Sequence, residues 1–389
     1  MRGMLYSNQE HLSVQNIKEL GLLHTEYNLN FLLAAYNKNN YNIEQKREIA
    51  SSIGRQEDND KIYDFINKNA FKEKQCMDIV YQMYRTCLCK NDVEKFRLLG
   101  EKIYAYYNNE VIKKMKEYFD YKRQKDKYKK IEHKIKKPTL LYGDNCETLK
   151  KIQDEEVNLI FTSPPYYNAR EYSVYKSYQD YLDKMYLTLK ECNRVLEKGR
   201  FIIINVSPVI TKRPGRNFES IRYPIHYDFH SILTKAGFYF VDEIYWIKPE
   251  SSVKNRNGGY QQTQMPLSYK PNCVTESLMV YRKNAPFLLD ENINKYKKTL
   301  SNKEDNFDTS NCWYIAPKSS KNHPAVFPEE LCEKVLKYYS FKNDVVLDPF
   351  AGSGTFGNVA IKMSRIPILC EKNSEYCSLI KSNMFYDEF

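Results

Sequence analysis

The sequence predicts two domains of different class, an all-α domain followed by an α/β domain with a mostly parallel sheet. Residues 1–120 contain little proline or glycine and show the apolar spacing of helices. From Thr139 onward, short apolar runs alternate with amphipathic segments, which is typical of strands and helices in turn. Pro138 lies between the two patterns and marks the predicted boundary.

The first domain is predicted from a series of amphipathic segments. Residues 43–54 form one predicted helix, with Ile49 and Ile53 on the same face. A second helix is expected to begin at Lys61, and a third covers residues 74–88. Helices separated by short polar turns resemble HEAT-like repeats, and a plain helical bundle fits the same pattern.

Residues 121–138 are rich in lysine and arginine and predict a basic linker helix. Two interpretations stay open, a solvated connection between the domains or a helix lying along a phosphate backbone. The whole chain has 60 lysines and arginines against 49 acidic residues, a formal net charge of +11. This balance favours association with polyanions and does not bear on the fold.

A stiff turn follows the strand predicted at residues 157–161, and its sequence is Ser163-Pro164-Pro165-Tyr166. Two successive prolines exclude a continuing strand ladder or a regular helix. The turn therefore directs a hydroxyl, a carbonyl and an aromatic ring outward from the strand end, where open α/β sheets bind their ligands. By itself the proline pair is equally consistent with a turn that merely ends a strand.

A second motif lies near the C-terminus, where an apolar strand at residues 344–347 enters a glycine-rich turn at 348–355 and then a helix at 356–363. Strand, glycine turn and helix predict the start of a nucleotide-binding unit. The turn has neither a full GxGxxG nor a following lysine, so a ligand without phosphates fits better. The next strand ends at Glu371, a position suited to ribose hydroxyls.

A hairpin is expected from the strands at residues 238–247 and 276–282, the second antiparallel to the first. Residues 248–275 between them are polar and rich in the residue types that contact bases and phosphates. The irregular character continues over 284–312, so we interpret 248–312 as a target-recognition insertion around the second strand. Disorder is the alternative.

Together, Ser163-Pro164-Pro165-Tyr166 and the turn beginning Asp348-Pro349-Phe350 resemble the motifs of amino-group DNA methyltransferases that use S-adenosylmethionine. The catalytic motif comes first, an order similar to that of their β class. The block at residues 323–328, beginning with His323, looks like one that the family has before its cofactor strand. Protein glutamine methyltransferases have the opposite order. Over residues 139–389 the resemblance implies a Rossmann-like methyltransferase sheet, mostly parallel with an antiparallel hairpin.

The resemblance also implies a role for each site residue. The catalytic set is Ser163, Pro164, Pro165 and Tyr166, in which Ser163 and Pro164 accept the amine hydrogens and Tyr166 stacks on a flipped base. The implied cofactor contacts are Asp144, Asp348, Phe350, Gly352, Gly354, Thr355 and Glu371. The candidate DNA contacts are Tyr167, Arg170, Arg213, Arg216, Lys254 and Arg256. His323 is expected to be structural or to lie beside the cofactor.

The first motif position bears on which base is methylated. In the family, Ser favours cytosine N4, whereas Asp or Asn favours adenine N6, so Ser163 predicts N4-cytosine with N6-adenine as the alternative. A nucleic-acid-binding module with an inactive methyltransferase fold is a hypothesis from another class, and RNA is a third substrate to test. The implied partner is double-stranded DNA, in a family that usually works beside a cognate restriction endonuclease.

The composition and the first residues of the chain predict the protein's location in the cell. The sequence has no apolar run long enough to span a membrane, and its first residues lack the pattern of a signal peptide. The ten cysteines are scattered without zinc-ligand spacing. We therefore expect a cytoplasmic protein with reduced thiols, no metal and no membrane partner.

Overall fold

The structure is a computed structural model of the chain. It describes residues 12–72, 74–124, 133–167, 175–210, 215, 217–218, 220–253, 258–269, 271–294, 307–318 and 327–384. The chain divides into two compact units, residues 1–128 and 129–389. No helix in the described ranges is both long and apolar enough to cross a bilayer. All ten cysteines are free thiols.

The first unit is helical throughout its described part. Its helices are α1 Val14–Gly21, α2 Glu26–Tyr36, α3 Ile43–Gly54, α4 Asn59–Asn69, α5 Met77–Cys89, α6 Glu94–Tyr107 and α7 Glu110–Arg123. Polar side chains cap several N-termini: Ser13 and Asn42 form capping boxes at α1 and α3. One continuous apolar core runs through these helices.

The helices of this unit repeat at a regular spacing. Helices α2, α4 and α6 begin at Glu26, Asn59 and Glu94, which are 33 and 35 residues apart. An ion pair joins successive hairpins at the same sequence spacing: the Lys61 ammonium lies 2.9 Å from Glu26, 35 residues earlier. The spacing is shorter than the roughly 40–47 residues of HEAT units. The unit is therefore a stack of helical hairpins with a shorter period than the predicted HEAT-like one.

The basic linker helix predicted over 121–138 differs from the structure at both described ends. Helix α7 ends at Arg123, and residues 133–138 are not helical. The backbone N–H of Ile135 instead donates to the Glu156 carboxylate at 2.6 Å, a contact inside the second unit, to which both residues belong. The middle of the predicted helix lies outside the described residues.

The second unit has an α/β architecture. Its strands are β1 Thr139–Tyr142, β2 Val157–Thr162, β3 Leu196–Val206, β4 Val209–Ile210, β5 Arg222–Tyr223, β6 Phe238–Ile247, β7 Thr275–Lys283, β8 Cys312–Tyr314, β9 Val345–Asp348 and β10 Ile366–Glu371. Its helices are α8 Asn145–Leu149, α9 Tyr178–Val195, α10 Ile225–Lys235, α11 Gly258–Thr263, α12 Leu289–Asn294, α13 Glu329–Tyr339, α14 Thr355–Lys362 and α15 Ser374–Met384.

Eight strands form one sheet in the order β1-β10-β9-β2-β3-β7-β6-β8, and β4 pairs with β5. The first five strands in that order, β1, β10, β9, β2 and β3, are parallel to one another. Strand β7 is antiparallel to β3 and β6, and β8 is parallel to β6. Alternate residues of β2 enter cores on opposite faces, Ile160 beside α9 and α10, and Phe161 beside α13 and α14. The predicted α/β fold with an antiparallel hairpin is confirmed.

The predicted insertion 248–312 contains part of this sheet. Residues 275–283 are strand β7, which lies between β3 and β6, and β8 begins at Cys312. The segment is therefore two separate connections, 248–274 and 284–311, on either side of a central strand.

Candidate active site

The two sequence motifs meet at one edge of the sheet. Strands β2 and β9 are parallel neighbours, with Ile160 opposite Leu347, so their carboxyl ends lie side by side. The Thr162 hydroxyl donates to Asp348 Oδ1 at 2.6 Å and joins the last residues of the two strands. Pro164 and Pro349 line the same small apolar cavity, about 10 Å³ in volume, so the two turns share a common wall.

Asp348 is a buried carboxyl group, with 2% of its surface exposed. Its pKa is raised to about 7, mainly by burial and to a smaller extent by the nearby Glu371 charge, whereas the hydrogen bonds from Thr162 and the Phe350 amide oppose the shift. The Phe350 N–H lies 3.0 Å from Asp348 Oδ1. Asp348 is therefore poised between its neutral and charged forms near neutral pH, and a cationic ligand would favour the charged form.

The glycine turn brings backbone donors to Glu371. Gly352 and Gly354 have φ of +52° and +79°, in the left-handed region that side chains other than glycine rarely adopt. The Gly352 N–H donates to Glu371 Oε2 at 2.8 Å, and the Asn373 N–H donates to Oε1 at 2.8 Å. Helix α14 begins at Thr355, directly after this turn. Two backbone amides thus fix the Glu371 carboxylate at the strand end.

The predicted cofactor residues lie in a row along the sheet edge. Asp144 follows β1, where its carboxylate caps α8 by accepting the Cys146 N–H at 3.0 Å. Strand β1 is next to β10, with Tyr142 opposite Glu371. The row therefore runs from Asp144 through Glu371 and the turn after Asp348 to Ser163. It crosses three strand spacings, or about 14 Å, which suits an elongated ligand.

The Ser163 hydroxyl is oriented by the neighbouring strand. It donates to the backbone carbonyl of Asn205, on β3, at 3.1 Å. Because its proton is engaged there, the lone pairs of the Ser163 oxygen are available to accept hydrogen bonds. Pro164 is buried, and Ser163 and Pro165 are half-buried.

A polar network that the sequence analysis missed adjoins this hydroxyl, and its centre is Glu276 on β7. The Tyr166 hydroxyl donates to Glu276 Oε2 at 3.2 Å, and the Asn205 side-chain amide donates to the same oxygen. The Lys248 ammonium forms an ion pair with the other oxygen. The Lys248 and Glu276 side chains are each only 15% exposed.

Tyr166 is a neutral hydrogen-bond donor in this network. Burial raises its pKa well above the ordinary value, and the Glu276 charge adds to the shift. A polar residue inside an apolar strand, Asn205 in β3, was the signal that could have identified this network from sequence. The other partners, Lys248 and Glu276, lie at strand ends, where polar residues are common.

The predicted DNA contacts require one correction. Tyr167 is only 7% exposed, and its ring packs against Tyr178 and Tyr223 in an aromatic cluster. It is therefore a packing residue in this structure, because its ring has no free face for a base. The remaining candidates and His323 lie outside the described residues: Arg170, Arg213, Arg216, Lys254 and Arg256.

Comparisons with known proteins identify the family of the second unit. The family model described as DNA methylase (N6_N4_Mtase) matches residues 157–382, more than half of the chain. DNA adenine methyltransferase YhdJ of Escherichia coli K12 is 30% identical over 62% of this chain and 80% of its own length. Type II beta methyltransferase M.BslI of Bacillus sp. NEB-606 is 29% identical over 62% of this chain. The chain covers 27% of M.BslI and 34% of M.MwoI from Methanothermobacter wolfeii.

Solved structures are similar over about two thirds of the chain. TTHA0409 from Thermus thermophilus, complexed with S-adenosyl-L-methionine, is 25% identical with a TM-score of 0.49, covering 65% of this chain and 96% of that one. The cytosine-N4-specific PvuII DNA methyltransferase is 19% identical with a TM-score of 0.48, covering 67% and 92%. The chain belongs to the DNA methylase family of S-adenosylmethionine-dependent N4-cytosine and N6-adenine methyltransferases.

Proposed function

We propose that this protein methylates the exocyclic N4 of cytosine in double-stranded DNA. The choice of cytosine rests on the serine at the first motif position. The choice of an exocyclic amine rests on the Ser163 hydroxyl, which donates to the Asn205 carbonyl and keeps its lone pairs available beside the proposed cofactor turn. An exocyclic amine is a poor nucleophile because its lone pair is delocalised into the ring. Hydrogen bonds from its two N–H groups to Ser163 and to the Pro164 carbonyl would localise that lone pair on nitrogen.

The cofactor residues fit S-adenosylmethionine. Bound there, the cofactor supplies an electrophilic methyl group on a sulfonium. Glu371 would hold the ribose and Asp144 the adenine amine, since both carboxylates stand at neighbouring strand ends. The turn with Asp348, Phe350, Gly352 and Gly354, and Thr355 after it, would enclose the methionine end. Left-handed glycines support this fit, because they let backbone approach a ligand closely.

The chain's own contribution to catalysis is then positioning and electrostatics. Ser163 and Pro164 orient the amine, and Pro165 stiffens the turn that presents them. Tyr166 would stack on the extruded base while its hydroxyl remains bound to Glu276. A ring held at its hydroxyl loses little entropy when a base stacks on it, so the network prepares the site for the flipped nucleotide.

Adenine N6 is the second candidate, because the relative YhdJ is a DNA adenine methyltransferase. The same acceptors would bind either amine. We also propose double-stranded DNA as the partner, a cytoplasmic location, and a cognate restriction endonuclease as in type II systems. Arg170, Arg213, Arg216, Lys254 and Arg256 remain the proposed DNA contacts.

The test is to incubate the protein with methyl-labelled S-adenosylmethionine and unmodified genomic DNA, then identify the labelled nucleoside by mass spectrometry. We expect N4-methylcytosine. N6-methyladenine would overturn the base assignment and keep the mechanism. A parallel incubation with RNA tests the third substrate, and label in RNA alone would overturn DNA as the substrate. Cofactor binding without any transfer would favour the inactive binding module.

A further inference from the structure

A cleft of about 470 Å³ opens on the first unit between helices α1, α3 and α5. We call it the basic cleft, because its lining includes four cations and a single carboxylate: Lys18, Arg47, Arg55, Arg85 and Glu48. It belongs entirely to the helical unit, for which the methyltransferase chemistry of the second unit gives no role.

The one acid of the basic cleft is already neutralised. The Glu48 side chain is 9% exposed and lies 2.9 Å from Arg55 Nη2. Arg55 also donates to the hydroxyls of Ser51, at 2.9 Å, and Ser52, at 2.7 Å, so its guanidinium is fixed in the cleft wall. Its buried Nε–H has no acceptor within the described part of the chain.

The other three cations have no acidic partner in the described ranges. No carboxylate there lies within 4.0 Å of Lys18, Arg47 or Arg85, and the Arg85 guanidinium only reaches the Ser51 hydroxyl at 3.5 Å. Some cations elsewhere on the same unit are paired, for example Arg97 with Glu94 and Glu101. The basic cleft therefore gathers three cations without an acidic partner in the described ranges on one surface.

The spacing of these cations fits an extended polyanion. Arg47, Ser51 and Arg55 are four residues apart along one face of α3, so the two arginines are about 12 Å apart along the helix axis. Neighbouring packed helices lie about 8–10 Å apart, so Lys18 on α1 and Arg85 on α5 widen the patch to about 20 Å. Each DNA strand has a phosphate about every 3.4 Å along the duplex axis, so several successive phosphates match this patch.

We propose that the basic cleft binds the phosphate backbone of duplex DNA, as a sequence-independent contact in addition to those of the active site. The inference rests on the proposed function in one respect, that DNA is the substrate. Arginine suits this task because its planar fork donates two hydrogen bonds to one phosphate. Contacts of this kind position a protein on DNA and strengthen binding without reading its sequence.

The test compares the full-length wild type with Arg47→Gln/Arg85→Gln on a fluorescein-labelled, random-sequence duplex, with affinity measured by anisotropy across a salt series. Each lost phosphate contact should reduce the slope of log affinity against log salt by about 0.9. Between about 50 and 200 mM salt, the wild-type affinity should therefore fall about tenfold more than that of the double variant. At the lower salt concentration the variant should bind more weakly.

The matched control is Arg97→Gln/Lys113→Gln, which removes two positive charges from cations that already have acidic partners on this unit. It should keep the wild-type slope. Equal slopes for all three proteins would overturn the proposal. If the double variant melts before assay, Arg47→Gln alone tests it, because Arg47 is exposed and one contact should still be lost.

Two further outcomes separate this inference from the proposed function. Tighter displacement of the probe by duplex RNA than by duplex DNA would overturn DNA as the occupant of the basic cleft. Methyl transfer to genomic DNA by the wild type tests the active site alone. Methyl transfer by the wild type, together with unchanged salt slopes in the cleft variants, would therefore contradict the proposed DNA contact at the basic cleft and leave the proposed methyltransferase function intact.

Discussion

The two halves of the active-site edge are held together by different kinds of bond. In the half that we propose for the cofactor, around Asp348 and Glu371 and called the cofactor half below, backbone amides of Phe350 and Gly352 donate to the carboxylates. In the other half, which we propose for the target base and call the base half, three side chains contact Glu276. They come from β3 and from the ends of β2 and β6. Backbone amides survive most substitutions, whereas every member of a side-chain network can be removed. We therefore expect the base half to be the more sensitive to mutation.

The largest effect is expected from Ser163→Ala in the base half. The substitution removes the proposed acceptor for the amine hydrogens, and loss of one such preorganised hydrogen bond lowers turnover by about 10²–10³. Cofactor affinity should stay near the wild-type value, because the contacts of the cofactor half are untouched. Single-turnover methyl transfer and calorimetric titration measure the two quantities.

The matched control for this variant is Ser382→Ala, an exposed serine on α15 whose hydroxyl bonds within its own helix. It should transfer methyl groups at the wild-type rate. If Ser163→Ala loses cofactor binding instead of turnover, Ser163 belongs to the cofactor half. That result would contradict the proposed boundary between the cofactor half and the base half of the active-site edge.

A smaller effect is expected from Glu276→Gln. The change leaves the Lys248 ammonium, 15% exposed, without its carboxylate. Loss of a charged partner in such a place lowers the free energy of unfolding by about 1–3 kcal/mol. As a positioning residue, Glu276 acts through Tyr166, so kcat should fall roughly tenfold, equivalent to about 1.4 kcal/mol of barrier, while KM for the cofactor stays constant. Thermal melts and steady-state kinetics measure these effects.

Glu147→Gln is the control for this change, because it breaks an exposed pair with Lys150 that lies away from the network. Neither its melting temperature nor its kcat should change. An unchanged kcat in Glu276→Gln, with stability lowered as expected, would restrict Glu276 to a structural role.

The smallest effect concerns pH and the cofactor half. The pKa of Asp348 is raised from 3.8 to about 7, so the ligand-free protein binds an extra proton between these values. Its folded state therefore loses stability as pH rises from about 4 to 7. A cationic cofactor prefers the carboxylate, so cofactor affinity should rise with pH and level off above about 7. Between about pH 8 and 6 the loss should be at most about tenfold.

Asp348→Asn tests this dependence, because an amide does not titrate. Its cofactor affinity, measured by calorimetry, should be weaker than that of the wild type and independent of pH over the same range. Ser163→Ala should keep the wild-type pH dependence. A wild-type affinity that does not change with pH would show that the cofactor does not depend on the charge of Asp348.

The elements that local sequence determines were predicted well. Strand β6 was expected at residues 238–247 and helix α3 at 43–54, and both have those bounds. Apolar periodicity, proline and glycine act through near neighbours, so they define each element wherever it lies in the fold. The prediction of a linker helix over 121–138 was wrong at residues 133–138. The charge pattern there could not show that the backbone N–H of Ile135 donates to the Glu156 carboxylate.

The sequence by itself determined the fold class, the two turns and the family, because short-range stereochemistry and motif order are written in consecutive residues. Only the tertiary structure decided which side chains surround those turns. Tyr166 and Glu276 are 110 residues apart, and their hydrogen bond depends on the placement of β7 between β3 and β6. Burial of Tyr167 and the gathering of cations in the basic cleft likewise depend on packing between elements, which consecutive residues do not encode.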